Sequence, residues 1–110
     1  MQISFKVQGS ASVPYDVVFK KQADGKLSAS CSCKAGKNGQ SCKHRFNILE
    51  GITKGIVSDN LEDVEIVQSW LHGTNLEQAI NKMRELESEK EKIEKELKNT
   101  KKVVSNEMNN

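Results

Sequence analysis

The sequence predicts an α+β fold: a β-hairpin followed by a helix, a ββα-like unit with an extra N-terminal strand, and then a helical C-terminal tail. Three observations predict it. Apolar residues alternate with polar ones at Ile3, Phe5 and Val7, and again at Tyr15, Val17 and Phe19, the period-two pattern of half-buried strands. Three cysteines and a histidine follow as Cys31-Ser32-Cys33, eight residues, then Cys42-Lys43-His44. After Thr74 the chain contains no Gly or Pro and repeats apolar residues every seven positions.

The first strand is expected around Ile3 to Val7 and is interrupted by Gly9-Ser10-Ala11-Ser12. A second is expected over 15–21 and a third over 26–30, joined by Asp24-Gly25, which supplies the positive-φ positions of a tight hairpin turn. Leu27 and Ala29 fall in step with Cys31, so this hairpin delivers Cys31 and Cys33 to its end. Residues 34–40 read as a loop. Ser41 is the expected N-cap of a helix with Phe46, Leu49 and Ile52 on one face, covering the hairpin and stopped by Gly51 and Gly55.

In the second half, Ser58 or Asp59 is the expected cap of a helix with Leu61, Val64, Val67 and Leu71 on its apolar side, Trp70 beside them, ending near His72-Gly73. Thr74-Asn75-Leu76-Glu77 is a capping box, in which the threonine and glutamate side chains satisfy unpaired backbone donors at a helix start. Leu76, Met83, Lys90, Leu97 and Val104 then occupy one heptad position, and Ala79, Leu86, Ile93 and Thr100 the other. This helix is expected over about 74–104, with the residues from Val103 onward frayed. The domain division expected is a zinc-binding domain over 1–56 and a helical region over 57–110.

The cysteines and histidine are the right number and type for one closed tetrahedral site. Structural Zn²⁺ takes four Cys or His ligands, with Zn–S near about 2.3 Å. Residues two apart on an extended segment face the same way, so Cys31 and Cys33 converge if the chain bends at Ser32. Residues two apart within a helix diverge, so Cys42 and His44 pair only if Cys42 lies at or just before a helix start. Three cysteines cannot form a complete disulfide framework, and no CxxC redox motif is present. Iron or cobalt fits the same thiolates, since ligand softness does not separate them from zinc. The expected cofactor is one structural Zn²⁺, held by Cys31, Cys33, Cys42 and His44.

The pattern CxCx8CxH resembles that of the SWIM zinc fingers, over about residues 15–56 and at all four ligand positions. Gln40-Ser41 stands where many members of that family have an apolar residue and proline. The resemblance implies a hairpin carrying CxC and a helix opened by CxH. It also implies a binding module, since SWIM fingers are associated with DNA binding and protein interaction.

Charge divides the chain. Residues 1–55 carry nine Lys/Arg against three Asp/Glu, a net of +6, whereas residues 56–110 carry eight against twelve, a net of −4. Zn²⁺ with three thiolates and a neutral imidazole is formally −1, so one or two nearby cations serve to neutralise it. Lys20, Lys21, Lys34, Lys37, Lys43 and Arg45 are the residues expected to contact DNA or RNA through phosphates, with Lys26 and Lys54 available beside them.

No Gly-rich phosphate loop or Ser-His-Asp order appears, and a closed four-ligand site leaves no position for a substrate, so the chain is not expected to be an enzyme or to take a small-molecule substrate. His72 is expected to contact the last carbonyls of its helix, and Glu62, Asp63 and Glu65 to be a solvated face. The chain lacks a targeting signal or a membrane-spanning apolar run, which predicts a cytoplasmic protein with no membrane partner. Two functions are expected to compete: binding of nucleic acid, DNA ahead of RNA, through the basic zinc domain, and a protein-interaction adaptor or homodimer acting through the finger surface or the C-terminal helix.

Overall fold

A computed structural model describes residues 1–110. Strands β1 (Gln2–Val7), β2 (Tyr15–Lys21) and β3 (Leu27–Cys31) form an antiparallel sheet in that order. They are followed by helices α1 (Lys34–Lys37), α2 (Lys43–Leu49), α3 (Asp63–Leu71) and α4 (Asn75–Met108). Residues Met1–Glu77 make one compact unit and Gln78–Asn110 a second. No helix is long and apolar enough to cross a membrane.

The strand register turns the sequence alternation into a one-sided core. Phe5 lies opposite Val17 and Val17 opposite Cys31, while Ile3, Phe19 and Ala29 form the adjacent row. Phe5, Val17 and Phe19 are fully buried, and the Phe5 and Phe19 rings meet edge to face at 6.1 Å, a favoured aromatic geometry. The opposite face carries exposed Ser4, Lys6, Asp16, Lys20, Ser28 and Ser30, with Lys6 ion-paired to Asp16 directly across the strands. At the hairpin tip Gly25 has φ 88°, and the Lys26 N–H donates to Asp24 Oδ1 at 3.0 Å, as the Asp-Gly turn requires.

The outer edge of β1 is covered by the chain that joins α2 to α3. The Gln8 N–H donates to the Gly55 carbonyl at 2.7 Å, and the Val57 N–H to the Lys6 carbonyl at 2.8 Å. Ser58 Oγ accepts from the Lys6 N–H, and Asn60 Nδ2 donates to the Ser4 carbonyl. An exposed strand edge invites pairing with other chains, and these bonds remove that risk for β1. They also explain why Ser58 does not cap α3, as its pattern suggested. Its hydroxyl is already engaged, and α3 opens at Glu62 without a side-chain cap.

The helices bury faces slightly different from those expected. Ile48 and Leu49 are the buried residues of α2, and Ile52 is exposed. The reason is Gly51, whose φ of 84° turns the chain out of the helix before Ile52 can join the stripe. In α3 the buried residues are Val64, Val67 and Trp70. Leu61 precedes the helix and is exposed, and Leu71 is half-buried.

The capping box at the start of α4 forms. The Glu77 N–H donates to Thr74 Oγ1 at 3.1 Å, and Glu77 Oε1 accepts from the Gly73 N–H, one residue before the cap, also at 3.1 Å. His72 lies with Nδ1 3.7 Å from Glu77 Oε2 instead of against the α3 carbonyls. The fraying expected from Val103 onward does not occur: α4 is helical to Met108. Nothing in that stretch interrupts the i to i+4 ladder, and propagation adds one bond per residue once a helix is nucleated.

Candidate metal centre

Cys31, Cys33, Cys42 and His44 converge, each offering one ligand atom, and these atoms lie within 4.8 Å of one another. They are close enough to hold one metal ion. All three cysteines are buried and none forms a disulfide. His44 turns Nδ1 toward the cluster, 3.7 Å from Cys31 Sγ, near the edge length of a tetrahedral shell with bonds of about 2.0 to 2.3 Å. Its other nitrogen faces Gly9, where a Cβ would come within 3.2 Å of Nε2 and 2.6 Å of the Tyr15 ring. Tyr15 packs beside the imidazole with ring centroids 4.9 Å apart, so a glycine and an aromatic side chain set its orientation.

Each ligand is placed by a local rule. Cys31 ends β3 on the buried face, in the row of Phe5 and Val17, so its thiol is aimed by strand register. Cys33 is the N-cap of α1, and its Sγ accepts from the Gly36 N–H at 3.3 Å. The expected loop over 34–40 therefore opens with a helical turn, because the thiol serves as the cap that Ser or Asp usually provides. Gly36 makes this turn sterically feasible: a Cβ there would lie 2.3 Å from the Cys31 carbonyl oxygen. Cys42, not Ser41, is the N-cap of α2, with extended φ −133° and ψ 146°, so Cys42 and His44 straddle the change from extended to helical backbone that their pairing needs.

Arg45 joins three parts of the site. Its Nε donates to Cys42 Sγ at 3.2 Å, Nη1 to the Ala29 carbonyl at 3.1 Å and Nη2 to the Gln40 carbonyl. The Ser32 N–H donates to Asp16 and the Gln22 N–H to Lys26, so by antiparallel alternation the Ala29 carbonyl faces the open edge of β3. One guanidinium thus blocks that edge, ties down the ligand loop and places a positive charge on a thiolate. Arg45 had been expected as a phosphate contact or as one of the cations that neutralise the site, and its hydrogen bonds favour the second role. Its position three residues after a cysteine at a helix start was the available signal for this inward role.

The electrostatics divide the ligands. Burial pushes the Cys31 thiol up to about 12, with the neighbouring Cys42 adding to the rise. Burial also acts to raise Cys42, but the Arg45 hydrogen bonds and charge outweigh it and hold that thiol below its ordinary range. His44 is lowered, first by burial and then by the Lys43 charge, which keeps the imidazole neutral as a ligand must be. Three soft thiolates and one imidazole are the donor set of structural zinc, and four protein donors fill a tetrahedral shell.

The expected nucleic-acid contacts separate into two groups. Lys20, Lys34, Lys37 and Lys43 are exposed. Lys34 directly follows Cys33 and Lys43 directly follows Cys42, whereas Lys20 lies on the polar face of the sheet. Lys21 and Arg45 are half-buried and engaged. Lys21 extends on the core side, and its Nζ donates to the Trp70 carbonyl at 2.8 Å, in the last turn of α3, where a cation also complements the helix dipole. Lys43 and Lys54 both line a hollow of about 250 Å³ with His44, Asn47 and the backbone at Gly9 and Gly55.

Compared with models of known protein families, with curated proteins and with solved structures, the chain matches none.

Proposed function

We propose that the chain is a SWIM-like module with one structural Zn²⁺ on Cys31, Cys33, Cys42 and His44, and that it binds nucleic acid through the basic surface around that ion. The ion links the end of β3 to the starts of α1 and α2, and the closed donor set leaves it a structural, non-catalytic role. The observation that carries the nucleic-acid reading is the exposure of Lys34, Lys37 and Lys43 on the two helical turns that the ligands themselves open. Their ammonium groups exceed what a site of formal charge −1 neutralises. Lys54 adds a further cation at the hollow shared with Lys43.

Binding of this kind tracks phosphates, so its affinity falls with salt, by a slope of about −0.9 per phosphate neutralised on duplex DNA. The test is retention of duplex DNA across a salt series by the zinc-loaded protein. Replacing Lys34, Lys37 and Lys43 by Gln is expected to flatten the slope by about one per lost contact while zinc content stays unchanged. Absence of retention at low salt removes the reading.

A second reading, a protein-interaction adaptor, is favoured by one observation on α4: Leu86, Ile93, Leu97 and Val104 are at least half exposed along a single helix. In that case the lysines only solubilise, and the three-Gln variant associates with partners as the parent protein does.

A further inference from the structure

We propose that α4 pairs with α4 of a second copy of the chain as a parallel two-stranded coiled coil over residues 83–108. The inference stands on α4 alone and does not depend on zinc or nucleic-acid binding. This segment is about 39 Å long at 1.5 Å per residue, between three and four heptads. Met83, Lys90, Leu97 and Val104 hold position a, and Leu86, Ile93 and Thr100 hold position d. Leu86, Ile93, Leu97 and Val104 are left largely exposed, the arrangement a seam has before it is covered.

Charge selects both the occupant and its direction. In a parallel pair each g residue faces the e residue five positions later on the other helix. That places Lys82 against Glu87 and Glu96 against Lys101, each twice by symmetry. The remaining pair, Glu89 against Glu94, is repulsive, and it falls beside Lys90, the one charged residue in the seam. Lys90 already lies with Nζ 3.8 Å from Glu94 Oε1 of its own helix. A residue at position a also packs beside the preceding g residue of its partner, here Glu89 of the second copy. Each Lys90 therefore sits between the two carboxylates that oppose one another, so the two departures from an ideal heptad compensate.

An antiparallel pair lacks this compensation. There g faces g and e faces e; with Ile93 layered on Leu97, Glu96 meets Glu96 and Glu94 meets Glu94, and only Glu87 with Lys101 attracts, against the two attractive pair types of the parallel arrangement. A lysine at a single a position is also a device that fixes register and partner number at some cost in stability.

The test is the mass of the full chain in solution over a dilution series, with zinc present. Twice the chain mass is expected, falling to one on dilution. Ile93→Asp is expected to halve the mass with zinc content unchanged, and Lys90→Glu, which sets a third carboxylate beside the opposed pair, to shift the dissociation to higher concentration. Lysine cross-linking of mixed light and heavy isotope chains then reads direction: parallel pairing joins Lys101 or Lys102 of one copy to the same pair of the other. A one-chain mass throughout, a three- or four-chain mass, no effect of Lys90→Glu, or cross-links joining Lys90 to Lys101 between copies in place of that pattern overturns the proposal.

Discussion

The Arg45 guanidinium and the Cys42 thiol meet at 3.2 Å from Nε to Sγ, and the same side chain holds the Ala29 and Gln40 carbonyls. The third ligand, the edge of β3 and the loop between the ligand pairs are thus fixed by one planar cation. Groups that hydrogen-bond a metal ligand commonly matter about 10- to 100-fold in metal affinity. Arg45→Ala is expected to weaken zinc retention by that order. Arg45→Lys is expected to recover little, because an ammonium on a flexible stem cannot reproduce the flat fork. Competition against a chromophoric chelator measures both, and parent-like retention in Arg45→Ala argues against the clamp.

Zinc affinity is expected to rise with pH through neutrality. Burial, foremost, pushes the Cys31 thiol up to about 12, so the metal-free chain keeps that proton and zinc must displace it. His44 is lowered by burial and by Lys43, and releases no proton on binding near pH 7. Each displaced proton makes affinity change about tenfold per pH unit. The same shift acts on the metal-free fold with a definite sign. A raised folded-state value gives stability that is present below 9.0 and lost as pH climbs toward about 12. Chelator competition at several pH values tests the first expectation and urea unfolding of the metal-free protein the second. A pH-independent affinity contradicts the proton accounting.

The strands, the turn at Asp24-Gly25, the capping box and the ligand set were legible in the sequence, because each follows from a local pattern: alternation, turn chemistry or spacing. What was not legible depended on partners distant in the chain. Ser58 reads as a helix cap until β1 supplies an unpaired Lys6 N–H for it. Lys21 and Arg45 read as surface charge until the Trp70 and Ala29 carbonyls come within reach. Residues 34–40 read as a loop because a cysteine is not an expected cap, and the thiol takes that role where Gly36 lets the turn close against Cys31. Long basic side chains are the least legible, since composition counts their charge without showing which carbonyl it serves.

Gly36→Ala is expected to loosen the site without touching a ligand. A methyl group there would lie 2.3 Å from the Cys31 carbonyl oxygen, which is backbone and cannot swing aside. Either α1 shifts from β3 or the Cys33 thiol loses its bond from the Gly36 N–H. Overpacking of this kind costs about 1 to 3 kcal/mol. Urea unfolding of the zinc-loaded protein, read with zinc release, tests it; unchanged values in both show that the turn can move freely.

Lys21→Met separates a structural lysine from a phosphate-binding one. The substitution keeps an apolar stem of similar reach but removes the ammonium that donates to the Trp70 carbonyl at the end of α3. Loss of a charged hydrogen bond and of its dipole interaction is expected to cost about 1 to 2 kcal/mol. Because that ammonium is occupied inside the fold, the salt slope of any DNA retention should stay at the parent value, whereas Lys34→Gln with Lys37→Gln should flatten it while leaving stability nearly unchanged. A Lys21→Met protein of parent stability but reduced salt slope reverses the assignment and returns Lys21 to the binding surface.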